Sequence, residues 1–404
     1  MFVDIMRRKI FILSVTIYLF LFSCIQFKEH PSDSTTPRGY FLNSFLRNNS
    51  IYQEAKGILD DSFGNGRGYV TQSISFDDDY GQTLVIQPYV KILLGGSCVN
   101  GLIDLDFCIA RFNSDGTLDT TFETSGNVIQ PSVSSSDNGQ SLAIQPDGKI
   151  LLGGVCDIGS NKEINDFCIA RFNSDGTLDT TFGNSGKIIQ PIGSSTDEGY
   201  SLTIQPDGKI LLGGTCYNGS NNDFCIARFN SDGTLDTTFG NSGKVIQPIG
   251  SSNDFGRSLV IQPDGKILLG GYCDNGGNDD LCIARFNPNG TLDTSFGRRG
   301  SGKVIQPIGP YDDWGYSLAI QPDGKILLGG YCFIDTSNDD FCIARFNSDG
   351  TLDTSFGSSG KVIQPIGSSY DWGRSLVIQP DGKILLGGSC YNGSNYDFCI
   401  ARFK

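Results

Sequence analysis

The chain has 404 residues, among them 53 glycines, 13 cysteines, two tryptophans and a single histidine, with a formal charge of −14. That length admits two or three ordinary domains or one large repeat array. The acidic balance argues against nucleic acid and anionic membrane surfaces as partners, because both repel it, and its even spread along the chain reads as a solvated surface.

Residues 1–24 read as an export signal. Arg7, Arg8 and Lys9 supply a positive start, and Ile10 to Phe22 an apolar run too short to span a bilayer as a helix, which takes about 20 residues. The run ends in Leu21-Phe22-Ser23-Cys24, which resembles a bacterial lipobox with Cys24 as the lipidated residue. Phe22 stands where a small residue is usual, so the lipobox is a relaxed one; an ordinary signal peptide is the alternative. Residues 25–56 carry Pro31, Pro37 and many Ser, Thr and Asn without a strand pattern, as expected of a flexible tether.

From Leu59 the chain is periodic. An L-D-x-[ST]-F motif closes at Phe63, Phe122, Phe182, Phe239, Phe296 and Phe356, and Ile-Gln-Pro recurs at Ile86, Ile144, Ile204, Ile261, Ile320 and Ile378. Within one repeat, four short β-type runs are predicted: Lys244 to Gln247, Ser258 to Ile261, Lys266 to Leu269 and Leu281 to Phe286, the middle two joined by the turn Pro263-Asp264-Gly265. Six units of four strands, none long or periodic enough for a helix, predict an all-β, six-bladed propeller over residues 57–404. The last copy stops at Lys404, and the missing half of its junction lies at Leu59 to Gly64. The run Gly68 to Gln72 is therefore expected to add the outer strand of the last blade and close the ring.

The NSDGTLDTSFG junction, followed by a GK-V strand and an IQPDGKILLGG hairpin, closely resembles the delta-60 repeat of exported bacterial β-propellers. The resemblance covers residues 57–404 and implies a propeller at a surface or exported location. It implies no reaction, because no shared active site carries over.

Twelve cysteines pair by position: Cys98 with Cys108, Cys156 with Cys168, Cys216 with Cys225, Cys273 with Cys282, Cys332 with Cys342, and Cys390 with Cys399. Each pair joins the ends of neighbouring hairpin strands, so an exported chain should form one disulfide per blade. Buried free thiols are the alternative. Zinc fits poorly, since no histidine accompanies the pairs.

The junction Asn230-Ser231-Asp232-Gly233-Thr234-Leu235-Asp236 resembles part of a calcium loop, but Arg228 stands where the first aspartate belongs. An Asx-type turn is expected there, and no metal or cofactor. Every repeat also carries Asp-x-Gly before its inner strand, at Asp79, Asp137, Asp197, Asp254, Asp313 and Asp371, and the only two tryptophans, Trp314 and Trp372, lie in the last two copies. These segments are expected as loops at one mouth of the central channel, on the variable face of the ring. Aromatic groups beside carboxylates suit a carbohydrate or protein ligand; the competing reading is that each aspartate only caps its own turn. The single histidine, His30, lies in the tether, so no histidine-based catalytic set exists in the repeats. A monomeric, non-enzymatic binding or scaffold module is the leading expectation. A hydrolase or lyase using carboxylates at the mouth stands second, and a purely structural surface protein third.

Overall fold

Pro-Asp-Gly turns divide each repeat into hairpins. In the third repeat Gly208 takes φ +85°, which a glycine adopts freely, and the Asp207 carboxylate accepts the Lys209 N–H at 3.1 Å. The strands on either side are Asp197–Ile204 and Ile210–Tyr217, followed by Asn222–Phe229 and Lys244–Gln247. They pair in chain order as one antiparallel sheet, and four other repeats do the same. The computed structural model describes residues 62–404, except 76, 101–103, 132–135, 159–163, 336–337 and 368. The export signal, Cys24 and the tether lie outside the described residues.

The six blades form a propeller, numbered here by their inner strands: Asp79–Ile86, Asp137–Ile144, Asp197–Ile204, Asp254–Ile261, Asp313–Ile320 and Asp371–Ile378. Successive inner strands pack side by side and line the centre. The third strand of each blade reads as a continuous apolar run because both of its faces are covered. In Asn222–Phe229, Phe224 and Ile226 face the following blade while Cys225, Ala227 and Phe229 face the preceding one. Five apolar clusters fill the five seams between consecutive blades in this way. Fully burying a Phe, Leu or Ile contributes about 1.5–3 kcal/mol, so these seams are the main source of stability.

In the first five blades both glycines of the repeated Leu-Leu-Gly-Gly are required by close approach. A Cβ on Gly213 would stand 2.6 Å from Leu259 of the next blade, and one on Gly214 would stand 1.9 Å from the Glu198 carbonyl oxygen. A hydroxyl then ties consecutive inner strands across the five filled seams: Ser201 Oγ accepts the Leu259 N–H at 3.0 Å, Ser258 Oγ that of Leu318 at 3.0 Å, and Thr83 takes the serine's place in the first blade.

All six expected disulfides are present, with Cα–Cα distances of 5.8–5.9 Å. The partners are diagonal rather than directly opposed. Cys273 faces Asp280 and Cys282 faces Gly271 across the ladder, so the bond crosses beside a glycine that leaves it room. Such bonds belong to an oxidising compartment. Among the described residues no helix is long and apolar enough to cross a membrane.

The expected closing strand is not formed. Residues 68–74 are irregular, and the last blade has three strands, Asp371–Ile378, Ile384–Tyr391 and Tyr396–Phe403. The N-terminal run instead stays with the first blade: Gly64 N–H donates to the Asp115 carbonyl at 2.7 Å, and Asp79 holds the Ile74 and Ser75 amides. Among the described residues no apolar cluster joins the sixth blade to the first. Phe398 is 100 % exposed where Phe341, its counterpart one blade earlier, is 0 %; Leu84 is 59 % exposed where Leu142 is 5 %.

Candidate functional site

The Asp-x-Gly segments are strand, not loop. Asp254 pairs with Cys273 and Gly256 with Gly271, then the register slips so that Ser258 pairs with Gly270. The residue between, Arg257, is left over as a β-bulge, which turns its side chain out of the ladder; such bulges commonly aim side chains at sites. The same slip recurs in every blade. From the first blade to the sixth the bulged residues are Gln82, Gln140, Tyr200, Arg257, Tyr316 and Arg374.

In the last four blades these residues stack on one another. The Arg257 guanidinium lies 4.0 Å from the Tyr200 ring centre and 5.7 Å from that of Tyr316, and the Arg374 guanidinium lies 4.1 Å from that of Tyr316. Tyr316 stacks on Tyr331 at 5.5 Å, and Arg257 Nη2 donates to the Tyr272 hydroxyl at 2.9 Å. Cation–π contacts of this kind contribute about 0.5–1 kcal/mol when exposed and about 2 when desolvated. Burial, the strongest influence on Tyr200, keeps its hydroxyl protonated far above neutral pH. The nearby Glu198 accepts that hydroxyl's hydrogen bond at 2.6 Å.

Both tryptophans belong to this cluster, each wedged in a seam. Trp314 stacks on Tyr272 at 5.4 Å and donates its indole N–H to Asp279 at 3.0 Å; Trp372 stacks on Tyr396 at 4.5 Å and donates to Asp339 at 2.9 Å. Sequence reasoning found these two residues and missed the bulged Tyr–Arg–Tyr–Arg series. Its signal was the position after each Asp-x-Gly, which runs Gln, Gln, Tyr, Arg, Tyr, Arg while its neighbours hardly change.

The predicted aspartates do something else. Asp137, Asp197, Asp254, Asp313 and Asp371 are fully buried. Asp313 accepts the Ile308 and Gly309 amides at 2.6 and 3.1 Å, and Asp197, Asp254 and Asp371 do the same in their blades. Asp79, half-buried, caps the Ile74 and Ser75 amides. Asp79, Asp197, Asp254, Asp313 and Asp371 thus anchor the chain entering their inner strands. Burial raises Asp313 to about 7 and Asp254 to about 6 although backbone N–H donors pull the other way.

A profile for a β-propeller domain of unknown function, DUF5122, matches the chain six times, at residues 91–122, 145–182, 205–239, 262–296, 321–356 and 379–404. The chain belongs to the DUF5122 β-propeller family. No curated protein matches its sequence. Solved structures of similar fold include a catalytically inactive virginiamycin B lyase from Staphylococcus aureus with quinupristin, at 12% identity over 79% of this chain and 83% of that one, TM-score 0.45. A protein of unknown function from Dyadobacter fermentans gives 13%, 79%, 92% and 0.45. A polysaccharide lyase, an ulvan lyase, gives 12%, 82%, 80% and 0.44.

The opposite face of this DUF5122 propeller repeats one network. Arg228 donates from Nε to Asp236 at 2.8 Å, lies 4.5 Å over the Phe239 ring, and reaches the Pro288 carbonyl of the next junction at 2.5 Å; Lys209 joins Asp236 at 2.7 Å. Burial pushes the Asp236 carboxyl up, but hydrogen bonds from Lys209 and Thr238 outweigh it and hold the carboxyl well below the usual range. Asp232 accepts the Thr234 N–H at 2.9 Å and its hydroxyl at 2.7 Å, which is the expected Asx-type turn. The motif copied along the sequence is thus the clamp between consecutive blades.

Proposed function

We propose that this DUF5122 propeller is a non-enzymatic binding module whose carbohydrate or protein ligand docks on the Asp-x-Gly face, over the cluster of Tyr200, Arg257, Trp314, Tyr316, Trp372 and Arg374. One observation carries this reading. The first two blades form their seam with Gln82 and Gln140 at the bulges, so the fold does not require the tyrosines and arginines that blades three to six place at that position. Rigid aromatic surface beside polar groups is the composition of binding hot spots. The test is a thermal-shift scan of the oxidised protein against a glycan panel and candidate surface proteins, repeated with Trp314→Ala plus Trp372→Ala. A ligand at about 100 times its dissociation constant should stabilise the protein by about 2.7 kcal/mol, and the shift should vanish in the double variant. A shift that survives the double variant would move the site elsewhere.

The protein works in this reading as an exported lipoprotein, held by lipid on Cys24 and a tether over residues 25–56. Support comes from the basic-then-apolar start, the Leu21 to Cys24 sequence and the six disulfides. Loss of palmitate labelling and of detergent-phase partitioning in Cys24→Ser tests it; a wild-type protein that takes no label refutes it.

A further inference from the structure

Seven arginines of the ring fall into two groups. Arg111, Arg171, Arg228, Arg285 and Arg345 each pair with an aspartate at 2.7–2.8 Å. Arg257 and Arg374 pair with none among the described residues; their neighbours are aromatic rings. Arg257 spends one N–H on Tyr272, and its Nε is buried without a hydrogen-bond partner among the described residues. A desolvated guanidinium that lacks an anion is costly, and a bound anion removes the cost. The nearby carboxylates do not fill that role, because Glu198, Asp279 and Asp339 are held by Tyr200, Trp314 and Trp372.

Resting on the binding reading above, we infer that the ligand is a short acidic saccharide whose carboxylate is taken by Arg374 and Arg257, with a sugar ring stacked on the Trp372–Tyr396 pair. A planar guanidinium matches a carboxylate with two parallel N–H donors. Arg374 is exposed, and its charge centre lies 6.0 Å from the Trp372 ring. Tyr396, stacked on that tryptophan, is 42 % exposed and offers an open face to the C–H side of a pyranose. The formal charge of −14 sets the length: it repels an extended polyanion at long range, whereas a uronate trimer brings few charges and gains short-range contacts.

Both tryptophans of the chain stand in this cluster, so their emission reports on it without a label. Trigalacturonate is titrated by tryptophan fluorescence and by calorimetry, against the neutral trimer galactotriose. Saturable binding of the acidic trimer is expected, weakened about tenfold or more in Arg374→Gln and partly recovered in Arg374→Lys. Arg374 is exposed, so these variants should keep the wild-type melting temperature; Arg257→Gln is the second variant, read only if it also melts normally. Equal affinity for the neutral trimer, or an Arg374→Gln variant that binds like wild type, overturns the acidic-saccharide inference and leaves the binding reading standing. Neither heat nor an emission change with trigalacturonate at millimolar concentration overturns it as well. The protein-ligand arm of the earlier scan then decides the broader reading.

Discussion

Phe341 and Phe398 occupy the same position in nearly the same strand, Asp-Phe-Cys-Ile-Ala-Arg-Phe, one blade apart. Phe341 lies against Leu327, Ile343, Phe356, Leu376, Ile384 and Leu386 and is wholly buried, while Phe398 is wholly exposed at the unfilled seam. Replacing Phe341 by alanine removes its transfer free energy and leaves a cavity in a cluster that cannot collapse, a loss of about 3–5 kcal/mol. Replacing Phe398 removes no buried contact, and the change should stay within about 0.5 kcal/mol. Guanidinium unfolding of the oxidised protein, followed by tryptophan emission, measures both, since Trp372 borders the seam that holds Phe341. Comparable losses for the two variants would refute the reasoning, because they would mean that the sixth seam is packed in solution. An unchanged Phe341→Ala would refute the assignment of stability to the seams.

The same seam logic applies to glycine. Gly213→Ala should destabilise by about 1–3 kcal/mol because its Cβ would meet Leu259 at 2.6 Å, whereas Gly387→Ala, whose nearest contact is 3.6 Å away, should be tolerated in the same unfolding assay. Stability should be greatest near pH 4–5. Asp119, Asp179, Asp236, Asp293 and Asp353 have depressed pKa values in the fold, so their contribution is present above the unfolded value near 4 and is lost as pH falls below it. Asp166 and Asp254, raised to about 6, and Asp313, raised to about 7, favour the fold at low pH and lose that contribution as pH rises from about 4 through 7. Asp166 accepts no hydrogen bond from the described residues at either oxygen, so Asp166→Asn should flatten the decline above pH 5 in melting curves; an unchanged profile would contradict this. Replacing Cys273 and Cys282 together by serine opens a loop of sequence separation 9 and should cost about 2.5–3 kcal/mol in the chain-entropy account, read as a shift in denaturant midpoint.

Local chemistry determined everything that repeats. The Pro-Asp-Gly turns, the alternating apolar strands and the cysteine pairs act between residues a few positions apart, so blade number, strand order within a blade and the disulfides were all legible from the sequence. The junction motif was legible as an Asx-type turn, and the structure adds the clamp around it, an arginine held by an aspartate, a phenylalanine ring and the carbonyl of the next junction. Tertiary structure decided what depends on the neighbouring blade. Phe341 and Phe398 share a local sequence and differ only in whether another blade covers them. Asp313 reads as a ligand group or a turn cap with equal ease until the Ile308 and Gly309 amides are seen to occupy it. The stack of Tyr200, Arg257, Tyr316 and Arg374 joins residues almost sixty positions apart, brought together by a register slip that no single repeat announces. Local sequence sets the conformation of each blade, but burial and side-chain stacking are properties of the gap between two blades, and only the assembled ring defines that gap.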